Sequence, residues 1–112
     1  MSATQDHDEA ALDLLAMRAH AGDAVALLKV LANEDRLMLL CQIAAAPRTV
    51  GELESLTGIQ QPTLSQQLGV LRREGMVSTE REGKFIRYQA ADARALRLMQ
   101  LVHELFCQGV HA

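Results

Sequence analysis

Two thiols and one run of amides and hydroxyls are the residues of this chain with the most chemistry to offer. Cys41 and Cys107 are its two cysteines. They lie too far apart for a Cys-x-x-Cys motif, and outside an oxidising compartment a structural disulfide is not the default. As thiolates they could serve as nucleophiles or redox partners; buried and protonated they would be small hydrophobes. The residues alone leave both readings open. His103 stands one helical turn before Cys107, where it could assist that thiol or simply face solvent.

The second feature is the stretch QPTLSQQ. Gln61, Thr63, Ser65, Gln66 and Gln67 are compact donors and acceptors without fixed charge. Glutamine can pair bidentately with adenine, and serine or threonine can meet a base or a phosphate. Arg72 and Arg73 follow, and Arg81, Lys84 and Arg87 come soon after. Amides for base edges with cations for phosphates are the two halves of a DNA footprint. A solvated helix face is the competing explanation, and Gln67 taken alone fits it as well.

The charge balance supports the footprint once it is divided along the chain. The formal net charge is −3. Residues 1–35 carry seven acids against Arg18 and Lys29, a balance of −5, whereas residues 36–112 carry nine bases against seven acids, a balance of +2. Local distribution, not the average, decides whether a surface attracts a polyanion.

The elements that must position these residues are mostly helical. The apolar fraction is 49% and the aromatic fraction 3%, a composition that favours helices over strands. With 112 residues there is room for one domain. We expect disorder over 1–7 and a single domain over 8–112. Residues 8–21 read as an amphipathic helix broken at Gly22 and Asp23, with Asp23 capping a buried helix AVALLKVLA. Asn33 ends that helix, EDRLMLLCQIAAA forms the next, and Pro47 stops it. Thr49 and Glu52 are spaced as a capping box, and Gly58 supplies a left-handed helix end. Pro62 opens the helix carrying the amides, which runs to Gly75. Two β-prone runs, Val77 to Arg81 and Phe85 to Gln89, flank the turn Glu82-Gly83-Lys84. Asp92 caps a last helix over 93–109. The order is that of a winged helix-turn-helix: mainly α, with a two-stranded hairpin wing.

The last helix is apolar on more than one side. Ala95, Leu96, Leu98, Met99, Leu101, Val102, Leu105 and Phe106 exceed what one small core can cover. A symmetric partner is the commonest solution, so an α-helical homodimer interface is expected, joined by the first helix. The sequence holds no apolar run long enough for a membrane span, and its N-terminus does not resemble a signal peptide, so a cytoplasmic location is expected. No enzyme is expected either: neither cysteine sits on a loop at a helix N-terminus, and no arginines surround one. No cofactor is implied.

The run VGELESLTGIQQPTLSQQLGVLRREGMVSTEREGKFIRYQ resembles the ArsR/SmtB family of winged-helix bacterial repressors, and ANEDRLMLL upstream resembles that family's segment before the helix-turn-helix. The resemblance spans roughly residues 22–110. It implies a homodimer bound to an inverted-repeat operator and released by a chemical signal. A metal signal is poorly served: LLCQIA holds one thiol where a thiolate cluster would need several. Arg94 stands where a histidine ligand would be expected, leaving Asp92, His103, Glu104 and His111. No metal site is therefore assigned, although a metal- or metalloid-responsive repressor and a general thiol-redox sensor stand as alternatives. One branch of the family, BigR-like and SqrR-like, carries one cysteine before the helix-turn-helix and one in the last helix. Cys41 and Cys107 match those positions. That resemblance implies release of DNA when low-molecular-weight persulfides or polysulfides join the two thiols within a subunit.

Overall fold

A computed structural model describes the backbone of residues 3–108, with side chains described from Asp13 to Cys107. It contains five α-helices, a terminal π-turn and one small sheet among the described residues. Helix α1 (Ala3–Leu31) leads into α2 (Glu34–Ala45). A two-residue strand β1 (Arg48–Thr49) precedes α3 (Val50–Thr57), and α4 (Thr63–Arg73) follows. The hairpin is β2 (Val77–Glu82) and β3 (Phe85–Ala90), and α5 (Ala93–His103) runs into a π-helical turn, Glu104–Gln108. This is a winged helix-turn-helix, mainly α.

Local chemistry explains most of the boundaries. Asn33 caps α2 by accepting from the Arg36 backbone N–H at 3.0 Å, with Glu34 and Asp35 in the first turn where the helix dipole favours acids. Thr49 and Glu52 form both halves of the capping box at the start of α3, at 3.2 and 2.8 Å. Gly58 ends α3 at φ 76°, a left-handed conformation that glycine adopts without a Cβ penalty. Gly83, at φ 63°, takes the first position of the two-residue wing loop, where a type II′ turn calls for glycine. Asp92 caps α5 by accepting from the Arg94 and Ala95 backbone N–H groups.

The core is a single cluster. Leu39, Leu40 and Ile43 of α2, Leu53 of α3, and Leu64, Leu68 and Leu71 of α4 are its fully buried side chains. Leu27, Val30 and Leu31 of α1 and Ala95 and Met99 of α5 close it from the outside. The spacing of Leu64, Leu68 and Leu71 keeps one face of α4 on this core and turns the opposite face outward.

Three expectations need correction. The helix predicted to break at Gly22 and Asp23 is continuous. A mid-helix glycine costs only about 1 kcal/mol and lacks proline's clash, so the helix runs through it, and Asp23 caps nothing. The described part of this helix begins at Ala3; Met1 and Ser2 lie outside the described residues. The segment AVALLKVLA is buried on one stripe only, for Val25 and Leu28 are exposed. Finally, the wing is three-stranded, in the order β1-β3-β2, because Arg48 and Thr49 pair antiparallel with Tyr88 and Arg87. Two residues are too few to show a strand period in sequence.

The last helix also changes character. It is α-helical only to His103, and the following π-turn carries Cys107. The expected end near Gly109 and the candidate ligand His111 lie outside the described residues.

Candidate nucleic-acid interface and thiol pair

The outward face of α4 leaves Ser65 and Gln66 exposed, with Arg72 and Arg73 exposed at its C-terminal end. Thr63 is half-buried in the first turn. The two other glutamines are engaged. Gln61 Oε1 accepts from the Ser65 backbone N–H at 3.1 Å and so caps the helix, whose N-cap residue Pro62 offers no side-chain cap. Gln67 is half-buried and its Oε1 accepts from Arg36 Nη1 at 2.9 Å. The four amides and hydroxyls of α4, with Gln61 just before it, thus divide into presented side chains and tethered ones.

The wing divides in the same way. Arg81 and Lys84 stand exposed near its tip, where Arg81 Nε donates to the Gly83 carbonyl at 3.5 Å and Lys84 Nζ sits 6.0 Å from the centre of the Phe85 ring. Arg87 does not stand free. Its Nη1 lies 3.4 Å from Glu52 and its Nε 3.2 Å from Glu82. Arg87 therefore fastens the wing to the first turn of α3. The Thr49 backbone N–H, and then Arg87, hold the Glu52 carboxyl below the usual range, so the carboxylate needed for this contact is present at neutral pH. The expectation of Arg87 as a DNA contact did not include this pairing, because charge pairing between residues 35 positions apart has no local signature.

The thiols lie away from the reading face of α4. Cys41 is half-buried on α2 and packs against the core beside Leu37 and Ala44. It opens onto a groove of about 550 Å³ between α2 and α5, whose other wall includes Leu96, Met99, His103 and Glu104. Cys107 is exposed in the terminal π-turn that continues α5 beyond this groove. Both are free thiols. Among the described residues, no three His, Cys, Asp or Glu side chains gather as a metal site would require. Nor is any described helix long and apolar enough to cross a membrane.

A helix-turn-helix with a separate wing, flanked by apolar helices, is shared with known proteins. The family model described as "Bacterial regulatory protein, arsR family" matches residues 33–79. The chain is 49% identical over 96 residues to the biofilm growth-associated repressor of Agrobacterium fabrum, covering 86% of this chain and 82% of that one. The chain belongs to the arsR family of bacterial regulatory proteins. Its fold matches the crystal structure of the repressor BigR from Xylella fastidiosa with a TM-score of 0.77 and 46% identity, over 81% of this chain and 93% of that one. It also matches a homodimeric winged helix-turn-helix DNA-binding domain from Mycobacterium bovis, with a TM-score of 0.68 and 33% identity, over 84% and 88% of the two chains. This family member is a winged-helix transcriptional regulator, not an enzyme.

Proposed function

We propose that this regulator is a homodimeric, cytoplasmic repressor that binds an inverted-repeat operator and releases it when persulfides join Cys41 to Cys107. The observation that carries the DNA half is the combination of the exposed Ser65 and Gln66 on α4 with the exposed Arg81 and Lys84 on the wing. The amide and hydroxyl suit base edges in the major groove, and the cations suit phosphates beside it. Gln61, Thr63, Gln67, Arg72 and Arg87 then support or flank that contact. Two such helices in a dimer would address half-sites about one helical turn apart. The repressing sense is supported by the higher identity to repressors, 49% and 46%.

The switch half is supported by two free thiols, Cys41 on the groove between α2 and α5 and Cys107 in the π-turn that continues α5. Each thiolate attacks the outer sulfur of a low-molecular-weight persulfide, taking that sulfur and releasing the small thiol. Two protein persulfides then condense: one terminal sulfur leaves as hydrogen sulfide and a three-sulfur bridge remains. A protein persulfide attacked by the second thiolate instead leaves a disulfide and hydrogen sulfide. Inserted sulfur relieves any mismatch with the Cα separation of about 4.4–6.8 Å that a plain disulfide needs. The bridge would tie the terminal π-turn to α2, the helix that packs on α4, and shift the balance of two conformations by a few kcal/mol. His103 lines the same groove as Cys41, which supports reading it as a modulator of this chemistry.

The test is operator affinity measured alongside intact mass. Persulfide treatment should weaken binding while the monomer gains mass from added sulfur and both thiols disappear. Cys41→Ser and Cys107→Ser should each bind DNA as the reduced wild type does and lose the response. Full release in either single variant would eliminate the bridge. Release by stoichiometric zinc or arsenite would put the metal-responsive alternative in its place.

A further inference from the structure

Arg36 of α2 has partners on two other helices. Its Nη1 donates to Gln67 Oε1 at 2.9 Å, its Nε donates to the Val30 carbonyl, and its Nη2 donates to the Lys29 carbonyl at 3.4 Å. One guanidinium therefore satisfies two carbonyls at the C-terminal end of α1 and one side-chain amide on α4. The Lys29 carbonyl also accepts from the Ala32 backbone N–H at 3.3 Å, whereas the Val30 carbonyl belongs to the last turn, whose carbonyls have no donor within the helix, so that contact has a structural reason to persist.

The chemistry of the donor fixes the direction of the amide. A guanidinium carries five N–H donors and no acceptor. Gln67 must turn its oxygen toward Arg36 and its NH2 away from it. Bidentate pairing with adenine requires the oxygen and the NH2 of one amide on the same base edge. With its oxygen held against α2, Gln67 presents N–H donors alone. It is also half-buried at the flank of α4, whereas Ser65 and Gln66 are exposed. A recessed donor at the side of a reading helix meets the rising sugar-phosphate wall, not the groove floor. Gln61 has lost its oxygen in the same sense, to the Ser65 backbone N–H.

We propose that Arg36 is a positioning residue for DNA binding: it holds Gln67 as an N–H donor to the phosphate backbone and leaves Gln66 as the adenine-competent amide of α4. This rests on the DNA-binding reading above and adds a division of labour among three glutamines that look equivalent in sequence.

The experiment selects duplexes with a randomised central segment, using the full chain, and compares base preference profiles and affinities. Gln67→Ala should bind every selected sequence about two- to ten-fold more weakly, as loss of one hydrogen bond implies, with an unchanged profile. Arg36→Ala frees the amide oxygen, so its profile should gain a preference for adenine that vanishes in Arg36→Ala/Gln67→Ala. Arg36→Lys, which still donates to the oxygen, should restore the wild-type profile even where thermal stability stays lowered. A Gln67→Ala variant that loses preference at a single base pair, or loses no affinity, overturns the inference. So does an Arg36→Ala profile identical to wild type. If Arg36→Ala does not fold, Gln67→Ala decides alone by those same outcomes. A wild type that retains no duplex from the pool overturns the DNA-binding reading itself, and this inference with it.

Discussion

The middle of the chain and its two ends obey different rules. From Leu39 to Leu71 the core leucines are closed off from water: Leu39, Leu40, Leu53, Leu64 and Leu71 are each 0% exposed. On α1 and at the end of α5 the apolar side chains point outward, with Leu15 65%, Leu105 63% and Phe106 70% exposed. The radius of gyration, 17.7 Å, exceeds the roughly 13 Å of a compact domain this size, because α1 projects beyond the body. Monomers rarely leave contiguous apolar surface uncovered. The contrast teaches that the flanking helices serve two surfaces: one stripe of α1 and α5 closes the core through Leu27, Val30, Leu31, Ala95 and Met99, and the outward apolar side chains are left for another surface, which we propose is a second copy.

The largest expected effect falls in the body. Leu68→Ala, at a site 1% exposed beneath the reading helix, should cost about 2–5 kcal/mol and lower the denaturant midpoint at every protein concentration. A loss that faded at high concentration would mean the body is not independent of its ends.

At the ends the expected effect depends on concentration instead. Leu105→Glu should leave the fold of the body intact and shift sedimentation at micromolar concentration from dimer to monomer. Val102→Glu should do the same with some loss of stability, because Val102 also packs on the core. A Leu105→Glu protein that stays dimeric would move the interface elsewhere and weaken the comparison at its root.

A smaller effect belongs to the junction between body and end. The Arg94 side chain, joined by backbone N–H groups of Ala95 and Arg94, lowers the Asp92 carboxyl from 3.8 to about 2. A depressed carboxylate stabilises the fold above its ordinary pKa, and that contribution disappears as pH falls through the folded value. Asp92→Ala should therefore cost about 1 kcal/mol at neutral pH, as a lost helix cap does, and the gap from wild type should close between pH ~4 and ~2. Chemical denaturation across that range measures it.

The smallest concerns the wing. Glu52→Gln keeps a capping-box residue but removes the charge facing Arg87, an exposed pair of the sort that contributes little. Thermal stability should barely move, while DNA affinity shows a modest change as the wing loses one tether. A large loss of stability would mean that the wing belongs to the core more than its exposure suggests.

Much of this was legible in the residues, for reasons that can be named. Thr49 with Glu52, Gly58, Gly83 and Asp92 mark their turns and caps because those features depend on residues within three or four positions. The spacing of Leu64, Leu68 and Leu71 fixed which face of α4 looks inward, and so which amides look outward. Tertiary structure decided what those outward residues are free to do. Arg36 reaches Gln67 across 31 positions, Arg87 reaches Glu52 across 35, and β1 finds β3 through a two-residue pairing. Continuity of α1 through Gly22 was likewise settled by the absence of any strong breaker and by the docking of Leu27, Val30 and Leu31, against a weak local preference. Local hydrogen bonds are encoded in short sequence windows. Which charges and amides are spent inside the molecule depends on which distant elements the leucine core brings side by side.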